Sequence, residues 1–335
     1  MKIYSKLFLL IIFVFNSHSY LYAQNEIKFT PLSSTSNSII PNINSTFFEG
    51  KSISSTELYY EDEMYYLLIN DLVGGWPCKK INVGVLQSKD LENWEWFDKP
   101  LFSSEDLPYK LTKPNGFATS IIKRKNIYYL FMDVLDNDRN IGIGLATAKS
   151  LKGPWKVHKE MVLKPRKDSW DSYSLAGADV IIKGNEFWLY YMGVMNDTPN
   201  GETAVGLAKS KDGINWVRQN TPVLSKSKTG FDSHKIGVPK IIEDDENLLM
   251  LYRSDDGDGT WGGNSAYGMV KSKDGLNWER FQDKPVLSEN DVPNWYTIWA
   301  CGLIKVENTL HLFLEYDGPP YRHTRINHAI HKVND

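Results

Sequence analysis

Five short aromatic and aliphatic segments recur along this chain at an almost constant spacing, and no other feature limits its fold as strongly. They begin at Met64, Ile127, Phe187, Asn247 and Thr309, so successive starts lie 63, 60, 60 and 62 residues apart. A second marker keeps the same step: runs that open on Ser88, Ser150, Ser210 and Ser272 close on Trp94, Trp155, Trp216 and Trp278. A third, Lys99-Pro-Leu, Thr221-Pro-Val-Leu and Lys284-Pro-Val-Leu, follows most of those tryptophans. Self-similarity at one fixed period identifies a repeat architecture.

Each unit reads as four short strands: a first strand such as residues 178–182, the aromatic strand, a Gly/Ala-rich strand such as 203–208, and an outer strand such as 215–218. Asp-Gly pairs, as in Lys211-Asp-Gly and Lys273-Asp-Gly, mark tight turns between them. Four antiparallel strands repeated in this way read as propeller blades, which close radially to remove their sheet edges. The fifth unit stops after its third strand, 326–333, and residues 27–32 resemble the outer strand it lacks. The expectation is an all-β, single-domain, five-bladed β-propeller over 24–335, its ring closed by the N-terminal strand. The blades fall near 50–105, 112–166, 172–226, 233–289 and 296–335 plus 25–33.

Ahead of the repeats, Lys2 and Lys6 precede an apolar run over 7–15, and a small residue, Ala23, stands before a polar stretch. This pattern predicts a cleaved secretory signal over 1–23 and a periplasmic or secreted protein. The run is well short of the roughly 20 apolar residues a membrane span needs. Lys+Arg at 38 against Asp+Glu at 41 leaves no basic surface of the kind nucleic acid requires. The 11 Trp and 18 Tyr suit a β protein that stacks on flat sugar faces. With only two cysteines, no disulfide framework holds the fold, although Cys78 and Cys301 fall in adjacent blades of a closed ring and a pairing stays open.

The order Trp-Asp-Ser (170–172), Gly-x-x-x-Ile-Ile (177–182), Tyr-Tyr-Met (190–192) and Gly-Leu-Ala-x-Ser-Lys-Asp-Gly-x-Asn-Trp (206–216) resembles the five-bladed propeller glycosidases of families 43, 32 and 130. The resemblance covers essentially the whole of 25–335 through scaffold markers. It implies an active site in the central funnel, with two or three carboxylates at the starts of the innermost strands. At those positions this chain has Ser55, Ala118, Ala178, Val238 and Ala300, with acids one or two steps away at Asp179 and Glu57. One step along a strand turns a side chain to the other face, so the family's usual machinery is shifted or absent.

The funnel mouth is expected where loops lead into the first strands and join the second to the third. Those loops carry Tyr173, His234, Lys235, Trp299, Trp76, Trp261, Tyr321, Arg322, His323 and Arg325, with Arg253 nearby. Aromatic planes stack on sugars, and arginine forks bind carboxylate or sulfate, which points to anionic oligosaccharides. Hydrolysis needs a pair of carboxyl groups; the candidates are Asp179 and Glu57, then Asp171, Asp232 and Glu49, with Asp171 and Asp232 in repeat positions that suit bracing. Elimination from a uronate instead needs a cation on the carboxylate and a proton acceptor, for which His234, His323, Tyr321 and Arg322 qualify. A sugar-binding propeller without catalysis is the third reading. No cofactor or metal motif is present: Asp255-Asp256-Gly257-Asp258 reads as a turn. A monomer with an oligosaccharide as its partner is expected.

Overall fold

The computed structural model describes residues 26–32, 47–75, 78–108, 116–135, 141–195, 201–255, 257, 265–291, 297–317 and 324–333. The expected signal segment, 1–23, lies outside them. Among the described residues the chain is all-β, with a single 3-10 turn at Glu289–Asp291 and no helix long and apolar enough to cross a membrane.

Five antiparallel units follow one another, each led by three long strands. They are Ile53–Glu61, Met64–Val73 and Lys80–Ser88 in unit one, and Phe117–Arg124, Ile127–Leu135 and Ile141–Ala148 in unit two. Ser174–Lys183, Glu186–Met195 and Glu202–Ser210 build unit three, and Lys235–Asp244, Asn247–Asp255 and Ser265–Ser272 unit four. Thr297–Val306, Thr309–Asp317 and Thr324–Lys332 build unit five. Two-residue outer strands complete units one to four, for instance Glu95–Trp96 on the third strand of unit one. In unit five the outer strand comes from the other end of the chain: Thr30–Pro31 pairs antiparallel with the third strand, Thr30 opposite Ile330 and Pro31 opposite Ala329.

The apolar residues of each strand pack sideways into wedges between consecutive units. One cluster joins units one and two, others join two and three, three and four, and four and five, and the last joins five back to one through Ile53, Leu67, Trp94, Phe313 and Ile326. The first strands follow the same cycle, each against its neighbours, with Thr297–Val306 packed on Ile53–Glu61. Cys78 and Cys301 are free, buried thiols in different clusters.

Close approach of backbone and ring explains part of the repeat. Tyr191 lies over Gly206 and Tyr252 over Gly268, where an added Cβ would fall 2.4 and 2.3 Å from ring carbons. Both hydroxyls then donate to a buried acid: Tyr191 to Asp171 at 2.8 Å and Tyr252 to Asp232 at 2.8 Å. Arg218 and Arg280 complete the two corners, bonding Asp171 at 2.9 Å and Asp232 at 2.9 Å. The repeat pair Asp171 and Asp232 therefore braces units three and four, each acid tying a second strand to an outer one.

Candidate active site

Every first strand carries a break in pairing near its middle, between Ser55 and Glu57, Ala118 and Ser120, Ala176 and Asp179, Gly237 and Lys240, and Ile298 and Cys301. Such bulges bend a strand and re-aim its side chains. They also change the residue count, which decides which side chains share a layer. Counted back from each hairpin, Glu57, Ser120, Asp179, Lys240 and Gly302 occupy one level, four residues before Glu61, Arg124, Lys183, Asp244 and Val306. The two acids that sequence alignment places at unequal offsets are structural equivalents.

At that level Lys240, from unit four, reaches units one, two and three. Its Nζ donates to Glu57 Oε2 at 2.5 Å, to Asp179 Oδ1 at 3.1 Å and to the Thr119 carbonyl at 2.7 Å. Asp179 Oδ2 also accepts from the Ile241 N–H at 2.7 Å. Burial works to lower the Lys240 ammonium, but the neighbouring Asp179 and Glu57 charges prevail and hold it above its usual range. Burial, with Asp179 adding repulsion, pushes Glu57 up to about 8 despite the lysine. One buried cation with two acids is closest to neutral when Glu57 carries a proton.

The next level belongs to the second strands, six residues in: Asn70, Asp133, Met192, Arg253 and Glu315. Each reaches the bulge of the following unit. Asn70 exchanges hydrogen bonds with the backbone of Ala118 at 3.1 and 2.9 Å, and Asp133 accepts from the Gly177 N–H at 2.9 Å. Met192 packs on Gly237, Arg253 Nε donates to the Ile298 carbonyl at 2.6 Å, and Ser54 Oγ donates to Glu315 Oε2 at 2.5 Å. That last contact runs from unit five to unit one.

Above these levels opens a cavity of about 540 Å³ lined from all five units, including Thr119, Asp133, Lys240, Arg253, Trp299 and Glu315. The Trp299 ring lies 4.8 Å from the Arg253 guanidinium carbon, a cation–π contact in its wall. Burial is the main cause that lifts Glu315 to about 8, opposed by the Ser54 hydrogen bond. Burial likewise lifts Asp133 to about 7 against the Gly177 N–H and the Lys240 charge. Two carboxyls that retain protons near neutrality, in a cavity with two cations, can supply the general acid that glycosidic cleavage requires.

The expected site residues distribute as follows. Asp179 and Glu57 lie at the base, tied to Lys240; Arg253 and Trp299 line the wall. His234 Nδ1 meets Asp255 Oδ1 at 2.6 Å at the start of unit four. Lys235 is buried beside it in the first strand, Tyr173 is exposed, and Arg325 follows the cavity-lining Thr324, hence faces away from the cavity. Tyr321, Arg322, His323, Trp76 and Trp261 lie outside the described residues. Asp133, Glu315 and Lys240 escaped sequence reasoning, although a signal was there: single charged residues inside the most apolar strands, as in Phe131-Met-Asp133 and Leu314-Glu315-Tyr316.

Residues 58–294 match the model of glycosyl hydrolases family 43. Among solved structures, a glycosyl hydrolase from Bacteroides ovatus superposes with a TM-score of 0.67 at 15% identity, over 90% of this chain and 93% of its own. A thermostable family-43 glycoside hydrolase gives 0.64 at 18% identity, over 84% and 92%. At this identity the likeness is one of fold. A curated relative, the beta-1,2-mannobiose phosphorylase of Thermoanaerobacter sp. (strain X514), is 30% identical over 108 residues, 29% of this chain. The match spans about a third of that relative's length (35%). Taken with the acid-lined cavity, these findings make the protein a glycoside hydrolase-like enzyme. It belongs to glycosyl hydrolases family 43.

Proposed function

We propose that the five units close as a five-bladed β-propeller, a single domain and a monomer released from its signal segment into the periplasm or beyond. Its central cavity hydrolyses glycosidic bonds in anionic oligosaccharides, uronate- or sulfate-bearing, during polysaccharide degradation. The cyclic packing of first strands and the reach of Glu315 to Ser54 support the ring. Arg253 in the cavity lining supports an anionic substrate.

The observation that carries the hydrolytic reading is Glu315, a cavity carboxyl lifted by burial to about 8 and so still protonated when a leaving oxygen needs a proton. Glu315→Gln, assayed on pectin-derived uronate oligosaccharides, is expected to lower kcat by ~10²–10⁴ with the fold retained. Wild-type-like turnover by Glu315→Gln would remove this assignment. The His234–Asp255 pair favours a second reading, β-elimination from a uronate, which the same assay separates: elimination creates an ultraviolet-absorbing unsaturated uronate and hydrolysis does not. Binding without turnover would leave a sugar-binding propeller.

A further inference from the structure

His234 and Asp255 form a pair that the hydrolytic reading does not use. Asp255 closes the second strand of unit four and is fully buried, while the His234 side chain keeps 26% of its surface accessible. Their contact, Nδ1 to Oδ1 at 2.6 Å, fixes the imidazole by one nitrogen and leaves Nε2 on the other side of the ring. Gly257 packs against the ring from the following turn, where an added Cβ would lie 3.4 Å from the histidine Cβ and Cγ. A buried carboxylate that holds one imidazole nitrogen sets tautomer and orientation, and the opposite nitrogen is then ready to take a proton.

The pair's height in the fold follows from strand geometry. Side chains two apart share a face, so Asp255 stands directly beyond Arg253, which lines the cavity. Unit five repeats the arrangement with Glu315 and Asp317, and both of those line the cavity. Asp255 therefore stands one step beyond the lining residue Arg253 at the same end of unit four, and His234, bonded to it, shares that end.

We propose that His234 is a catalytic residue at the cavity rim, the proton acceptor of the reaction, with Asp255 as its positioning residue. The proposal rests on the hydrolytic reading above for its chemistry. Water loses a proton to His234 Nε2 while its oxygen bonds to the anomeric carbon. The glycosidic C–O bond breaks with its electron pair on the leaving oxygen, which takes the Glu315 proton. Afterwards His234 releases its proton to solvent and Glu315 regains one, so one water is consumed and no other reactant is needed.

The test uses the mature protein and oligosaccharides released from pectin by mild acid. His234→Gln is expected to lower kcat by ~10²–10⁴ at unchanged melting temperature, with kcat/KM losing its dependence on one ionisation. Asp255→Asn is expected to lower kcat with little change in KM and to alter the same pH profile, which a merely structural role would leave in place. Turnover by His234→Gln within a few-fold of wild type, while Glu315→Gln is dead, would overturn the dyad and leave the hydrolytic reading standing. Diethyl pyrocarbonate acylation of wild-type His234, followed by peptide mapping, gives a readout independent of turnover. Protection by the oligosaccharides places His234 at the bound sugar even if no cleavage is seen, in which case the hydrolytic reading is what fails. Acylation at the same rate with and without sugar would overturn the proposal.

Discussion

The ammonium of Lys240 touches Glu57, Asp179 and the Thr119 carbonyl, so its removal would leave two buried acids facing each other. Breaking a buried ion pair from one side typically costs ~3–5 kcal/mol, because the remaining charge has no compensation. Lys240→Met should therefore lower the melting temperature sharply, and adding Glu57→Leu should recover part of it. A calorimetric scan in which the single variant melts like wild type would show that the triad contributes nothing. These residues also show where sequence reading stops. Glu57 and Asp179 were visible as acids near the expected positions, but their equivalence depends on bulges that insert residues into each first strand. Lys240, Asp133 and Glu315 carry no local motif; their role follows only once five strands bring them to one cavity.

At the scale of the element, the third strands depend on glycine where a tyrosine ring crosses them. Gly268 has no room for a side chain, since a Cβ would lie 2.4 Å from the Tyr252 hydroxyl oxygen and that hydroxyl is anchored on Asp232. Gly268→Ala must displace either the ring or the strand and is expected to cost ~1–3 kcal/mol, the range for overpacked cores. Urea denaturation of the variant with an unchanged midpoint would refute this. The hairpins themselves were legible, because alternation and turn chemistry are local and the ~60-residue period repeats them. The single pairing of the Thr30–Pro31 strand with the last unit was also anticipated, since unit five lacked an outer strand in sequence.

Across the whole molecule, buried titratable groups set a direction for stability against pH. Glu57 and Glu315 rise from 4.5 to about 8 on folding, and Asp133 rises from 3.8 to about 7, burial leading in each case. Acids with raised folded values give stability that is complete below their unfolded values and is lost as pH climbs through the folded ones. His328, buried against Phe313 and beside His311, moves the other way, from 6.5 to about 3. Its contribution is present above 6.5 and fades as pH falls toward 3. Burial lowers His311 as well and raises Asp71; the raised acids outweigh the two histidines between these limits, so the melting temperature should be higher near pH 5 than near pH 8. A flat or rising trend over that interval would contradict the burial of these carboxyls.

The pairing of Thr30 with Ile330 also orders events in time. A chain delivered from its N-terminus exposes this strand first and its partner last, some 300 residues later. Until then the wedge that receives Phe29 between units four and five stays unfilled. Contacts this distant in sequence slow folding, since loop-closure entropy is met before any contact rewards it. The molecule can thus complete its architecture only after the final strand has emerged.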